Sequence, residues 1–111
     1  AELMRRLMAA LPLKDGEPEP RINLFVCYTA GDGYVTYVIP RSAHRPAAYY
    51  AAGGAQRLVS PGAIDMAGLV ITPREDDFRS IGADEALALL REVALSREEA
   101  DDVVARLCGE A

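Results

Sequence analysis

The chain has 111 residues, of which half are hydrophobic and about a quarter charged, as expected for one folded domain. Its net charge of −5 argues against a general role in binding nucleic acid or a membrane surface. No apolar run reaches the roughly 18 residues of a membrane-spanning helix, and no signal-peptide pattern opens the chain. We therefore expect a cytoplasmic protein in which Cys27 and Cys108 are reduced, although a disulfide between them is possible.

The N-terminal part of the chain predicts a helix followed by a β-hairpin. Apolar residues at helical spacing predict a helix over residues 2–11, which Pro12 ends. After a polar, proline-rich connector, residues 22–29 and 34–39 are dense in β-forming side chains. The turn sequence Ala30-Gly-Asp-Gly33 separates them, so the two segments predict antiparallel strands joined by a tight turn.

The middle of the chain predicts short elements separated by turns. Pro46 suits the start of a short helix over residues 47–52. Residues 56–59 and 64–72 predict a short and a longer strand, and Gly68 inside the longer one suggests a bulge.

The C-terminal part predicts a helical turn and two amphipathic helices. Residues 75–81 are typical of the turn. An apolar face is expected on the first amphipathic helix at these positions: Ala86, Leu87, Leu90, Val93 and Ala94. Ser96 and Glu99 form a capping-box pattern at the start of the second. The order of elements predicts an α+β fold with an antiparallel sheet and flanking helices.

No complete catalytic or metal-binding set is present in the sequence. There is one histidine, and the two cysteines are not at ligand spacing, so we expect no metal and no cofactor. Ser60 is followed by proline rather than by the glycine of a nucleophile elbow. The acidic pairs at residues 76–77 and 101–102 are typical of charges at helix starts or on solvated faces. We therefore predict no catalytic residue in this chain.

The loop from Arg41 to Pro46 is the best local candidate for a binding site. Arg41, His44 and Arg45 lie between a predicted strand and a predicted helix start, where guanidiniums and free helix N–H groups favour phosphate or carboxylate. Alternatively, the two arginines pair with surface acids and His44 closes a turn. Residues 49–50 are both tyrosine and either stack on a base or pack the short helix against the sheet.

Asp65 is the second candidate. In an extended segment its carboxylate shares a face with apolar side chains, so it needs a partner to remain charged there. The cations available to it are Arg41, His44, Arg45 and Arg57. One interpretation is a structural ion pair, and the other is a carboxylate that faces a ligand.

Three segments together resemble a known family. They are residues 19–24, residues 38–46, and residues 60–68 running into the pair at 77–78. In order and spacing they are similar to the C-terminal part of the GDP-galactose phosphorylase and ATP adenylyltransferase-like group, within the histidine-triad superfamily. The resemblance covers about residues 19 to 95 and is strongest to a bacterial branch of the group.

The resemblance implies a sheet-plus-helix half-unit that pairs with a second unit in full-length relatives. That second unit carries a His-x-His-x-His/Gln motif, whose central histidine attacks the α-phosphate. At the corresponding strand this chain has residues 63–69, Ala-Ile-Asp-Met-Ala-Gly-Leu. The resemblance therefore implies that residues 1–111 form a single, non-catalytic C-terminal domain of a longer protein.

Three functions follow as hypotheses. In the first, the chain supports the nucleotide or phosphate site of a nucleotidyltransferase or nucleotide-sugar phosphorylase, with Arg41, His44, Arg45 and Asp65 as substrate-binding residues. In the second, it is a binding or dimerisation module, whose partner is a second copy or a missing N-terminal unit. The third, a hydrolase that uses His44, is the weakest because no residue orients the histidine.

Overall fold

A computed structural model describes residues 1–109 of the chain. Its elements, in chain order, are α1 (Glu2–Ala10), β1 (Ile22–Thr29), β2 (Gly33–Pro40), α2 (Ala47–Tyr50), α3 (Ala63–Met66), α4 (Glu75–Ser80), α5 (Ala83–Val93) and α6 (Arg97–Cys108). A 3₁₀ turn, Gly53–Ala55, follows α2. The architecture is α+β, and the predicted fold class is confirmed.

The sheet consists of one antiparallel hairpin. β1 and β2 pair in register from Ile22 opposite Pro40 to Thr29 opposite Gly33. At the turn, the backbone N–H of Asp32 donates to the Thr29 hydroxyl at 3.2 Å. Gly33 takes a φ of +73°, a conformation that residues with a side chain rarely adopt. The predicted hairpin is therefore confirmed in position and in its turn.

The buried apolar residues form two small groups. α1 packs on α6 through Ala10, Leu11 and Val103, as their helical spacing predicts. Val59 and Val93 are fully buried, and an ion pair of Arg57 with Glu85 at 2.7 Å links the segment before α3 to α5. These groups hold the helices around the base of the hairpin, and the hairpin tip lies outside both of them.

The two C-terminal helices occur as predicted, with one change in the buried face. The Ser96 hydroxyl accepts from the Glu99 N–H, and the Glu99 carboxylate accepts from the Ser96 N–H, which confirms the capping box. On α5, however, Leu89 and Val93 are buried whereas Leu87 is 45% exposed. The predicted buried face of α5 was therefore wrong at Leu87, because Leu89, and not Leu87, points toward the core in that turn of the helix.

The two additional strands predicted in the middle of the chain were wrong. Residues 56–59 are extended but pair with no strand among the described residues. Residues 63–66 form the single turn α3, and its Asp65 carboxylate accepts the Gly62 N–H at 2.9 Å. Gly68 follows with a φ of +111° and donates its N–H to the Asp65 carbonyl at 2.9 Å. A cap at one end and a glycine at the other thus favour a helical turn over a bulged strand.

Candidate functional site

Arg41 is buried where the hairpin meets the rest of the chain. Its backbone N–H donates to the Arg21 carbonyl at 2.8 Å, which continues the hairpin by one pair. Its guanidinium donates to one side chain and three carbonyls: Asn23 Oδ1, Ala43 O at 3.2 Å, Pro61 O at 2.7 Å and His44 O at 2.6 Å. Arg41 therefore fixes the 41–44 loop against both β1 and the Pro61 turn.

Burial shapes the electrostatics of Arg41. Removal from water lowers the pKa of its guanidinium, the nearby Asp65 charge opposes that change, and Arg21 adds to it. All four of its hydrogen-bond partners are neutral, so none of them cancels its charge. Arg41 therefore has no direct ion pair within residues 1–109, only the longer-range charge of Asp65, and a cation at this depth favours a further anion close to it.

Arg45 lies at the rim of the same corner. Its Nε donates to the Ser60 hydroxyl at 2.9 Å, and its guanidinium carbon lies 4.3 Å from the centre of the Tyr49 ring. These contacts orient the side chain by a cation–π interaction and one hydrogen bond. Its two terminal nitrogens make no hydrogen bond within residues 1–109, so four N–H donors face solvent.

Both arginines line an open cleft of about 450 Å³. Its walls are formed by Asn23, Arg41, His44, Arg45, Tyr50, Ser60, Pro61 and Gly62. No carboxylate of residues 1–109 lines it, although the sequence contains 17 acidic residues. The alternative in which these arginines pair with surface acids was wrong, because neither forms an ion pair in the part of the chain that the structure describes.

The cleft also contains polar side chains that the sequence did not indicate as binding residues. Asn23 accepts from Arg41 through Oδ1, which leaves its amide N–H groups free to donate into the cleft. Ser60 adds a hydroxyl, and Tyr50 adds a ring that is 69% exposed. The available sequence signals were the Ser-Pro-Gly turn and a lone amide at the start of a strand. Neither signal indicates that the chain folds back onto Arg41.

One component of the predicted anion corner differs in the structure. Free N–H groups at the start of α2 were expected to contribute, but the Ala47 N–H donates to the Glu92 carboxylate at 2.7 Å. The helix is only four residues long. Side chains, not a helix N-terminus, therefore provide the donors of this cleft.

Asp65 lies behind the cleft and is buried. Its carboxylate accepts two backbone N–H bonds, from Gly62 at 2.9 Å and from Ile71 at 2.8 Å. It contacts none of the cations considered as direct partners, although its charge acts on Arg41. Through Gly62 it fixes the turn that forms one wall of the cleft, so its present contacts position that wall.

We expect Asp65→Asn to lower the free energy of unfolding by about 1–2 kcal/mol, because an amide group replaces one of two buried acceptors. Urea denaturation measures the change. Asp76→Asn is the matched control, since Asp76 is exposed and its side chain makes no hydrogen bond within residues 1–109. Equal stability of the two variants would contradict a role for Asp65 in fixing the turn.

A second buried carboxylate supports the cleft from farther away. Asp77 is only 2% exposed and binds Arg74, Arg57 and the backbone N–H of Leu58. Arg57 also pairs with Glu85 at 2.7 Å, so it is not a partner of Asp65. This network holds residues 56–58, which lead directly into Val59 and the Ser60 wall.

The prediction for the acidic pair at 76–77 was therefore incomplete. Both residues lie in the first turn of α4, as expected, but Asp77 is buried while Asp76 is exposed. Arg74 lies three residues before Asp77 and reaches it with two hydrogen bonds. That spacing is a signal in the sequence, whereas the contribution of Arg57 arises only from the fold.

His44 and the two cysteines are the remaining side chains with potentially reactive groups in the described residues. The His44 side chain is exposed and lies between the cleft and a second open cavity of about 490 Å³ beside the proline-rich connector. Cys27 and Cys108 are exposed and unpaired. Within residues 1–109 no cluster of three metal-ligating side chains occurs, and no helix is long and apolar enough to cross a membrane.

Comparison with known proteins addresses the identity of the domain. No curated protein and no solved structure matches the chain. Residues 21–111 match the family described as GDPGP1-like, C-terminal domain. This range includes the hairpin, the arginine-lined cleft and all helices after α1. Because the match covers more than half of its length, the chain belongs to the GDPGP1-like C-terminal domain family.

Proposed function

We propose that this chain is the non-catalytic C-terminal domain of a nucleotidyltransferase or nucleotide-sugar phosphorylase, and that its cleft binds a phosphate of the substrate. One observation carries the proposal: two arginines line one cleft, and neither has a carboxylate partner within residues 1–109. In a chain of net charge −5, most other arginines of the described part are paired. Membership of the family supports the same assignment.

The roles of the residues follow from their contacts. Arg45 has free terminal donors and suits a bidentate bond to a phosphate oxygen pair. Arg41 has one N–H left after its four bonds, so its main contribution is a buried positive charge. Ser60 and the Asn23 amide add neutral donors. Asp65 acts through Gly62 by holding the wall.

A nucleotide fits the cleft better than inorganic phosphate. The exposed Tyr50 ring lies beside the cation-lined wall and provides a flat surface on which a base can stack. His44 also lines the cleft, and its ring N–H can donate to an oxygen of the same ligand. No residue is assigned a catalytic role, since the His44 ring has no orienting partner within the described residues.

Calorimetric titration of the chain with GDP, ADP and UDP tests the proposal, and guanosine serves as the phosphate-free ligand. We expect at least one nucleotide to bind with a dissociation constant below about 1 mM and guanosine to bind much more weakly. Arg45→Gln is expected to weaken nucleotide binding by about tenfold or more, because a charged bidentate contact is lost.

Arg97→Gln is the matched control, since the Arg97 side chain is 91% exposed on α6 and does not line the cleft. It is expected to bind like the unmodified chain. The absence of binding at several millimolar of every nucleotide, or equal weakening by both substitutions, would overturn the proposal.

A further inference from the structure

No residue of the hairpin, residues 22–40, is fully buried, and several of its large apolar side chains are exposed. Residues 22–40 contain a single charged side chain, Asp32 at the turn. Antiparallel pairing places Leu24, Val26, Tyr28 and Tyr34 on one face, because Leu24 lies opposite Val38 and Tyr28 lies opposite Tyr34. These four side chains keep between 43% and 80% of their area exposed. An uncharged face of this kind is unusual on an acidic chain.

The outer edge of β2 is also free of the usual protection. The Arg41 N–H donates to the Arg21 carbonyl, so these two residues form a hydrogen-bonded pair. In an antiparallel ladder every second pair is hydrogen-bonded, so the pairs two, four and six residues farther along the hairpin also exchange N–H···O=C bonds. The N–H and C=O groups of Tyr34, Thr36 and Val38 therefore point away from β1 along the outer edge of β2. No lysine or bulge protects this edge, and Pro40 lies only at its base.

The size of the face matches that of a protein interface. The four exposed side chains leave about 500 Å² of apolar and aromatic surface, given that one aromatic side chain can bury 150–250 Å². A stable interface needs about 800 Å² on each partner, which the face and one edge together approach. The radius of gyration is 16.1 Å, against about 13 Å for a compact domain of this length, so the chain is less compact than a typical single domain.

We propose that a second copy of this chain covers the hairpin, by pairing antiparallel along the outer edge of β2. A twofold axis near Thr36 would join the two hairpins into a four-stranded sheet with a continuous apolar face. Two chains of charge −5 can meet here without repulsion between side chains at the contact, because the edge and the face are uncharged. β2 is the freer edge, since α3 lies against β1.

Sedimentation equilibrium of the whole chain, from about 5 to 200 μM, tests the proposal. We expect a reversible dimer, and we expect Thr36→Lys to raise its dissociation constant about tenfold or more. Two lysines would then face each other across the axis. Thr36 is exposed and opposite Val26, so the substitution leaves the buried groups unchanged.

Val104→Lys is the matched control, because Val104 is a β-branched residue that is 57% exposed on α6 and the same charge is added. It is expected to dimerise like the unmodified chain. Amide exchange provides a second measurement that does not depend on a variant. We expect the N–H groups of Tyr34, Thr36 and Val38 to exchange more slowly as the concentration rises.

Three results would overturn the proposal. The first is a monomer throughout the concentration range, and the second is a dimer that Val104→Lys weakens as much as Thr36→Lys does. The third is slower amide exchange at high concentration in an element other than β2. The outcome is independent of nucleotide binding, because neither Thr36 nor Val104 lines the cleft. A failure of one proposal therefore leaves the other standing.

Discussion

Replacement of Asp77 by asparagine is expected to lower the melting temperature by on the order of 10 °C. Asp77 is only 2% exposed, and its two oxygens accept from Arg74, Arg57 and the Leu58 N–H. An amide keeps one acceptor oxygen and points N–H donors at a guanidinium, so Arg74 loses its carboxylate partner and Arg57 keeps only Glu85 among the described residues. Thermal unfolding followed by circular dichroism measures the change, and Asp76→Asn on the same turn should leave it small.

The same carboxylate predicts a pH dependence of stability. The pKa of Asp77 is lowered from 3.8 to about 2, mainly by the hydrogen bonds from Arg74, with the Leu58 N–H and Arg57 adding to the effect and burial opposing it. Because the folded state holds the proton less tightly than the unfolded state, this contribution is fully present above about pH 5. It is lost as the pH falls from about 5 through about 2.

The melting temperatures of the unmodified chain and Asp77→Asn should therefore differ by a constant amount above about pH 5 and converge toward pH 2. The difference between the two curves removes the contribution of the other carboxylates, provided that these titrate alike in both proteins. A difference that stays constant down to pH 2 would contradict the network as the source of the stabilisation.

Arg41→Met is expected to lower the free energy of unfolding by about 3 kcal/mol, because one side chain and three carbonyls lose their donor at a buried position. The 41–44 loop would also lose its attachment to Pro61. Arg45→Met is the matched variant, and we expect a change within about 0.5 kcal/mol, since Arg45 is exposed and makes one hydrogen bond.

Urea denaturation measures how much each arginine contributes to the free energy of unfolding, and titration with a nucleotide measures how much each contributes to binding. We expect both methionine variants to bind nucleotide more weakly, and only Arg41→Met to unfold at lower urea. If both variants lost the same free energy of unfolding, the claim that the buried hydrogen bonds of Arg41 stabilise the fold would be contradicted.

The parts of the fold that sequence predicts well are those with a local cause. The hairpin follows from two β-rich segments around an Ala-Gly-Asp-Gly turn, and α6 follows from the Ser96–Glu99 cap. The middle of the chain was harder, because residues 64–72 are compatible with a strand by composition. Asp65 there bonds to Gly62 and Ile71, which turns the first residues into α3.

The candidate site shows the same division between local and long-range causes. Arg41, His44 and Arg45 are close in sequence, and the structure places all three around one cleft. Asn23 and the Ser60 turn reach that cleft through long-range contacts with Arg41, about 20 residues away in each direction, and Ser60 also accepts from Arg45. No periodicity or spacing in a single sequence encodes such a contact, since it depends on how the hairpin and the turn meet.

The measurement that tests the central claim most directly is a two-dimensional ¹H–¹⁵N NMR titration of the whole chain with GDP. We expect amide shifts at Asn23, in residues 41–46 and in residues 60–62, with saturation below a few millimolar and weakening at higher salt. The amides of α1 and α6 should not move. Shifts confined to other elements, or no shift at several millimolar GDP, would contradict the assignment of this cleft as the phosphate site.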